Sequence, residues 1–320
     1  MSVVDIESLS IHYLMRRGNI RAVDDVTLSV RKGETLGVVG ESGCGKSTLG
    51  LALIRLIPYP GSVVGGRVLL DGTDLRSLPE KEMRQIRGKR IGFIFQDPMT
   101  SLNPVKKIGD HFIELIRTHE KRVDKAEALD RASRMLETLG ILPERVNDYP
   151  HQFSGGMRQR VMIGLALALN PEFVIADEPT TSLDVIVEAQ ILELLKRLKE
   201  AFNITLMLIT HNIGIIAQTA DRVAVMYAGR LAELGPSLRL FADPLHPYTQ
   251  ALLSAVPNVA KPGRVLSWIP GAPPDLASPP PGCLYNPRCP HAFDRCPREV
   301  PRLVDVGEGR SVACFLHYKG

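Results

Sequence analysis

The sequence predicts an α/β fold, on three observations: short runs rich in β-branched and aliphatic residues, helical patterns between several of them, and a glycine-rich loop that joins one run to one helix. The runs are "TLGVVG" (35–40), "RVLLDGTDL" (67–75), "IGFIFQ" (91–96), "FVIADE" (173–178), "ITLMLITH" (204–211) and "RVAVMYAGR" (222–230). Most do not alternate apolar with polar residues, which suits strands buried on both faces. After the first run, "KSTLGLALIRLI" reads as a helix. Further along, Ile108, Phe112, Leu115 and Ile116 share one helical face, and Met135, Leu136 and Leu139 precede a stop at Gly140.

About 75 residues without a strand pattern separate "IGFIFQ" from "FVIADE", too many for a simple crossover. Residues 98–152 are therefore expected to form an inserted helical subdomain, with 1–97 and 153–235 as the α/β core. No internal repeat is visible, so the chain carries one such core. Half of the 24 prolines fall between Pro257 and Pro301, and four of the five cysteines between Cys283 and Cys314. Residues 236–320 are expected to be a separate, irregular extension.

Composition narrows the classes. A chain of 320 residues, 44% hydrophobic and 23% charged, can bury a full core. Its net charge of +4 is small and its basic residues are scattered, so nucleic acid is not an expected partner. The longest apolar stretch, "VMIGLALAL" at 161–169, is about half of the roughly 20 residues that a membrane-spanning helix needs. The start "MSVVDIESLS" lacks the basic-then-apolar pattern of a secretory signal, so a cytoplasmic location is expected and any membrane role is peripheral.

The chemistry begins at "GESGCGKST", which fits the phosphate-binding pattern G-x-x-x-x-G-K-[ST]. Gly40, Gly43 and Gly45, with Ser42 and Cys44 between them, let consecutive backbone N–H groups curl around phosphate oxygens, and the following helix points its positive end there. Lys46 would neutralise the β- and γ-phosphates, Ser47 would ligate Mg²⁺, and Thr48 would support the helix start. A plain glycine turn would explain the spacing alone, but not a strand before it and a helix after it. "FVIADE" ends in Asp177, suited to the Mg²⁺ surroundings, and Glu178, placed to orient or deprotonate an attacking water. Gln96 and His211 end two further runs, so four polar side chains fall on the carboxyl edge of one sheet. Any of them alone would be an ordinary surface or core residue.

In this order the motifs resemble the cassette of ABC transporter ATPases, a P-loop NTPase with a RecA-like core sheet and a helical subdomain, and "FSGGMRQR" at 153–160 strengthens the resemblance. Ser154, Gly155 and Gly156 match the family signature, usually LSGGQ, whereas Phe153 and Met157 depart from it. Ser154 can N-cap a helix whose start would form a second anion site. The resemblance covers roughly residues 3–235. It implies ATP and Mg²⁺ as ligands, with Ser47, Gln96 and Asp177 at the metal, and Lys46, Gln96, Glu178 and His211 as the catalytic set. It further implies a head-to-tail dimer, with ATP between one subunit's phosphate loop and the other's signature. Asp184, in "TSLD", would couple the two sites, and Tyr13 lies where such cassettes stack an aromatic ring on adenine.

"PLHPYTQALLSAVP" and the cysteine-rich end resemble the extension of oligopeptide and dipeptide importer ATPases. That implies a second, non-identical ATPase subunit, two membrane permease subunits and an extracytoplasmic solute-binding protein as partners. Related importers carry nickel complexes, glutathione or oligosaccharides. A soluble cassette ATPase outside transport is the alternative of another class, though no second cassette, long coiled coil or basic arm is visible. Cys283, Cys289, Cys296 and Cys314 fall within 32 residues, which suggests a shared ligand. The cytoplasm disfavours disulfides. Zinc suits four thiolates, but the gaps of five, six and seventeen residues are wider than those of usual zinc sites. The Cys-Pro steps at Cys289 and Cys296 resemble the close of bacterial iron–sulfur runs, and similar tails in this family include some with a 4Fe–4S cluster. An iron–sulfur cluster on these four cysteines is therefore the expected ligand, with zinc or unliganded thiols as the alternatives.

Overall fold

The computed structural model describes residues 1–16, 18–97, 101–181, 183–255 and 269–318. In chain order its elements are β1 (Ser2–Met15), β2 (Gly18–Arg31), β3 (Thr35–Val39), α1 (Lys46–Leu53), β4 (Gly61–Leu70), β5 (Thr73–Asp74), α2 (Glu80–Ile86) and β6 (Ile91–Ile94). Next come α3 (Ile108–His119), α4 (Lys125–Thr138), α5 (Gly155–Leu167), β7 (Phe173–Asp177), α6 (Val185–Phe202), β8 (Thr205–Ile209) and α7 (Ile213–Thr219). The chain closes with β9 (Arg222–Tyr227), β10 (Arg230–Pro236), α8 (Ser237–Ala242), α9 (Pro247–Ser254), β11 (Val304–Gly307) and β12 (Arg310–Val312). It divides into two compact units, residues 1–77 with 208–320, and residues 78–207.

The first unit holds an antiparallel sheet of order β2-β1-β4-β5, whose β1–β2 ladder is offset at several points where bulges fall. Ser8 and Asp25 sit at those offsets with φ of 45° and 56°. Beside it, β3 runs parallel to β9, β10 turns back antiparallel to β9, and β12 and β11 continue antiparallel from β10. Every residue of β3 and of β9 is buried, as continuous apolar runs require of central parallel strands. Arg222, at the start of β9, is kept in this interior by Glu34, its Nη1 3.0 Å from Oε1 with both side chains under a tenth exposed.

The second unit builds on β6 and β7, which are parallel in the register Ile94↔Ala176. Between them, α3 buries Ile108, Phe112, Ile113 and Ile116, while α4 starts on an Asp124 cap that accepts from Glu127 N and ends before Gly140 at φ +71°. Among the described residues no strand lies between β6 and β7, in keeping with the helical pattern of that stretch.

Three expectations need correction. "RVLLDGTDL" is two strands, because Asp71 and Gly72 both take positive φ and turn the chain between β4 and β5. The helix after the phosphate loop stops at Leu53 rather than running on through "IRLI". The extension is not wholly irregular: α8, α9, β11 and β12 lie in it, and two of them extend the sheet beside β10.

Candidate active site

Each unit contributes a separate set of groups. In the first, β3 ends at Val39 and α1 begins at Lys46, so the phosphate loop is strung between a buried strand and a helix N-terminus. Gly40, Gly43 and Gly45 all have positive φ. Glycine is required most strictly at Gly45: at φ +100°, an added Cβ would lie 1.9 Å from the Ala22 carbonyl oxygen. Lys46 is 5% exposed, and its Nζ donates to Gly40 O at 2.8 Å and Glu41 O at 3.0 Å. An ammonium has three N–H donors, and the third is given only to Cys44 Sγ, a weak acceptor that a phosphate oxygen can replace. Cys44 Sγ lies 3.8 Å from the same Nζ, and burial raises its thiol pKa. Ser42 and Gly43 are exposed at the tip, and Ser47 and Thr48 open α1.

Tyr13, on β1 opposite Ile20 and Gly61, places its hydroxyl 3.4 Å from Thr48 Oγ1. His211 follows β8 and is exposed. Its neighbours are fixed: Thr210 N–H donates to Val38 O at 3.1 Å, and Asn212 caps α7 by accepting from Gly214 N at 3.0 Å.

In the second unit, β7 delivers Asp177, 5% exposed, and then Glu178 at φ 46°. Glu178 Oε2 accepts from Gln96 Nε2 at 2.9 Å and from Thr181 Oγ1 at 2.8 Å. Parallel pairing of β6 with β7 is what brings Gln96 beside Glu178 across 82 residues of chain. Ser154 caps α5, its Oγ accepting from Met157 N at 3.3 Å, and Asp184 caps α6 by accepting from Val187 N at 2.9 Å. The two departures from the signature share one partner. The Arg145 guanidinium stacks 4.3 Å above the Phe153 ring and donates to Met157 Sδ at 3.5 Å. A leucine there would lack that ring face.

Mg²⁺ takes only one or two carboxylates beside phosphates and water, and a buried carboxylate at the end of β7 has the chemistry for it. Ser47 offers a hydroxyl at the head of α1.

The four cysteines of the extension line one small cavity together with His246. Yet among the described residues no three or more His, Cys, Asp or Glu side chains are placed to hold a metal ion, so the expected metal group is not formed by these side chains as they stand. All are free thiols. Burial raises the thiols of Cys289 and Cys314 and pushes Cys283 up to about 11, whereas a metal requires thiolates. His246 is kept neutral, its pKa lowered by burial to about 4.

Sequence reasoning missed Glu41, Tyr248, Tyr285 and Arg288, which pack around the phosphate loop and the cysteine cavity. Arg288 forms an ion pair with Glu41 at 2.8 Å, and Tyr227, Tyr248 and Tyr285 stack with ring centroids 4.5 to 5.5 Å apart. The residue pair is separated by 247 positions, and no local spacing could announce it.

A phosphate loop between strand and helix, an acidic strand end held by a glutamine, and a capped Ser-Gly-Gly helix define a P-loop nucleoside-triphosphatase of the cassette type. A family model described as "ABC transporter" matches residues 23–181, and one described as "Oligopeptide/dipeptide transporter, C-terminal region" matches residues 232–296. The chain is 46% identical over 317 residues to the dipeptide transport ATP-binding protein DppD of Bacillus subtilis (strain 168), covering 98% of this chain and 94% of that one. It is 45% identical over 316 residues to the oligopeptide transport ATP-binding protein OppD of Salmonella typhimurium, covering 98% and 93%. Among solved structures, the cassette MJ0796, in a dimeric post-hydrolysis state bound to ADP and Pi, aligns with a TM-score of 0.64 and 30% identity over 73% of this chain and 98% of that one. The cbiO1 protein of Clostridium perfringens, part of the ABC transporter complex cbiONQ, gives 0.64 and 27% over 76% and 91%. The chain belongs to the ABC transporter ATPases, in the oligopeptide/dipeptide transporter family. It is an ATPase coupled to transport. No helix among the described residues is long and apolar enough to cross a membrane.

Proposed function

We propose that this ATPase drives uptake of di- or oligopeptides, as one of two ATPase subunits seated on two membrane permease subunits at the cytoplasmic face, with an extracytoplasmic solute-binding protein delivering the peptide. The observation that carries the peptide reading is that the similarity to DppD and OppD runs past the cassette into the C-terminal region. The second ATPase is proposed to be non-identical. Head-to-tail pairing draws support from the dimeric state of the related MJ0796 cassette.

The roles of the site residues follow from their chemistry. The loop from Gly40 to Thr48 wraps the phosphates, with Lys46 supplying charge and Tyr13 stacking on adenine. Ser47, Gln96 and Asp177 hold Mg²⁺, which spreads the charge that develops on the transferred phosphoryl group. Glu178 orients the attacking water and takes its proton, Gln96 and Thr181 holding the carboxylate in place, and His211 contacts the γ-phosphate. Ser154, Gly155 and Gly156 close over the nucleotide of the opposing subunit, and Asp184 links the paired sites. In this division of labour residues 1–97 and 153–235 form the nucleotide core, 98–152 the helical subdomain, and 236–320 the extension.

For the cysteines the reading is iron–sulfur ligation with a structural role, supported by the convergence of all four on one cavity.

One preparation tests both readings. The chain is co-expressed with candidate permease and ATPase subunits, purified without oxygen, reconstituted with the solute-binding protein and assayed for ATP-dependent uptake of labelled peptides. Uptake, together with iron and sulfide in the ATPase, is the expected result. Uptake confined to a non-peptide solute would remove the peptide reading, and a chain free of iron the cluster.

A further inference from the structure

Glu41 is the second residue of the phosphate loop, and a carboxylate there opposes what the loop is built to do. A nucleotide triphosphate brings several negative charges to the same few ångströms, and like charges in a partly buried site repel strongly. The fold answers this from the extension. Arg288 donates through Nη1 to Glu41 Oε2 at 2.8 Å and through Nη2 to Oε1 at 3.0 Å, a two-pronged pair in which the arginine side chain is 5% exposed and the glutamate 22%. The guanidinium is fixed on its other edges by Tyr227 Oη at 3.2 Å and Pro270 O at 2.8 Å.

The turn that presents Arg288 is itself tied, because Asn286 Nδ2 donates to Cys283 O at 2.7 Å and Pro281 O at 3.1 Å. The backbone of Glu41 is held as well. Its N–H donates to the hydroxyl of Tyr248, a fully buried residue of α9, at 2.9 Å, and its carbonyl accepts from Lys46 Nζ. Thus the extension grips the residue on which the phosphate-loop lysine is anchored.

We propose that Arg288, assisted by Tyr248, is a positioning residue for ATP: it cancels the charge of Glu41 and fixes the peptide that anchors Lys46. The proposal rests on the reading that the Gly40–Thr48 loop binds the nucleotide. In the full chain, Arg288→Ala is expected to raise the Kd for ATP about 5- to 50-fold, the range of a coupling between neighbouring sites. KM for ATP rises with it, while kcat at saturating ATP stays within about twofold, the mark of lost binding rather than lost chemistry.

Adding Glu41→Gln to Arg288→Ala removes the uncompensated carboxylate, and the double variant is expected to bind ATP more tightly than Arg288→Ala alone. A folded Arg288→Ala chain with wild-type affinity overturns the proposal, as does a loss that Glu41→Gln does not relieve. If Arg288→Ala does not fold, Glu41→Gln alone decides. With the carboxylate gone and Arg288 still held by Tyr227 and Pro270, its positive charge beside the loop is no longer cancelled; affinity should rise, and an affinity unchanged or lowered overturns the proposal. Failure of the wild-type chain to bind ATP would instead sink the phosphate-loop reading, so the two failures are distinct.

Discussion

Glu178 carries a carboxylate that accepts from Gln96 Nε2 and Thr181 Oγ1, and these bonds hold it in place at the end of β7. Glu178→Gln keeps the size of the side chain and removes its ability to take a proton. ATP binding should persist while steady-state turnover falls about 100- to 10,000-fold, the usual worth of a positioned base. Equilibrium nucleotide binding measured beside phosphate release checks this, and turnover at the wild-type rate would remove Glu178 from its role. At this scale the sequence was readable wherever chemistry fixes spacing. The loop glycines, Lys46 and the acids after "FVIA" stand at intervals that backbone geometry imposes. Arg145 and Arg288 were not readable, because each acts on residues brought near only by the fold, Phe153 and Met157 in one case and Glu41 in the other.

Between elements, α5 approaches α6 closely at Gly156. A Cβ added there would stand 2.5 Å from Val187 Cγ1, a methyl on a β-branched side chain with little freedom to turn aside. Gly156→Ala is therefore expected to destabilise by about 1–3 kcal/mol, the cost of overpacking, despite the better helix propensity of alanine. Val187→Ala in the same chain should recover much of the loss, and thermal unfolding of the three variants measures it. If Gly156→Ala unfolds at the wild-type temperature, the contact does not constrain the signature helix. The strands show what patterning can and cannot reveal. β3, β7, β8 and β9 are unbroken apolar runs and were legible, because both faces are covered. β1 and β2 are fourteen residues each but were not recognised, since their bulges break the alternation that marks a strand with one wet face.

For the chain as a whole, the extension is part of the first unit's sheet, and this gives it a structural duty apart from any ligand at its cysteines. β12 pairs with β10 through Glu233↔Val312 and Leu234↔Ser311, and Ala313 N–H donates to Ala232 O at 2.8 Å. Proline and cysteine content pointed to an irregular tail and concealed β11 and β12, which are only four and three residues long. β12 also opens with Arg310, whose Nη2 lies 3.3 Å from Oε1 of Glu233, a carboxylate with no exposure at all. Glu233 further accepts from Leu245 N at 3.1 Å and His246 N at 2.9 Å, so it organises the entry to α9. A chain ended after residue 255 would lose Arg310 and the strand that covers β10. It would leave the Glu233 carboxylate without its arginine, held only by the Leu245 and His246 N–H groups, and present a bare sheet edge for other chains to join. Such a chain is expected to aggregate or unfold at clearly lower temperature. Arg310→Met separates the two causes, since it keeps the strand and removes the guanidinium with its bonds to Glu233 and Asp243. It should cost about 3–5 kcal/mol, the penalty of breaking a buried pair, and Glu233→Gln beside it should restore a large part. Thermal unfolding and light scattering of the truncated chain, Arg310→Met and the double variant provide the check. A truncated chain that stays monodisperse with an unchanged unfolding temperature would show that β10 needs no cover and that the extension is dispensable for the sheet.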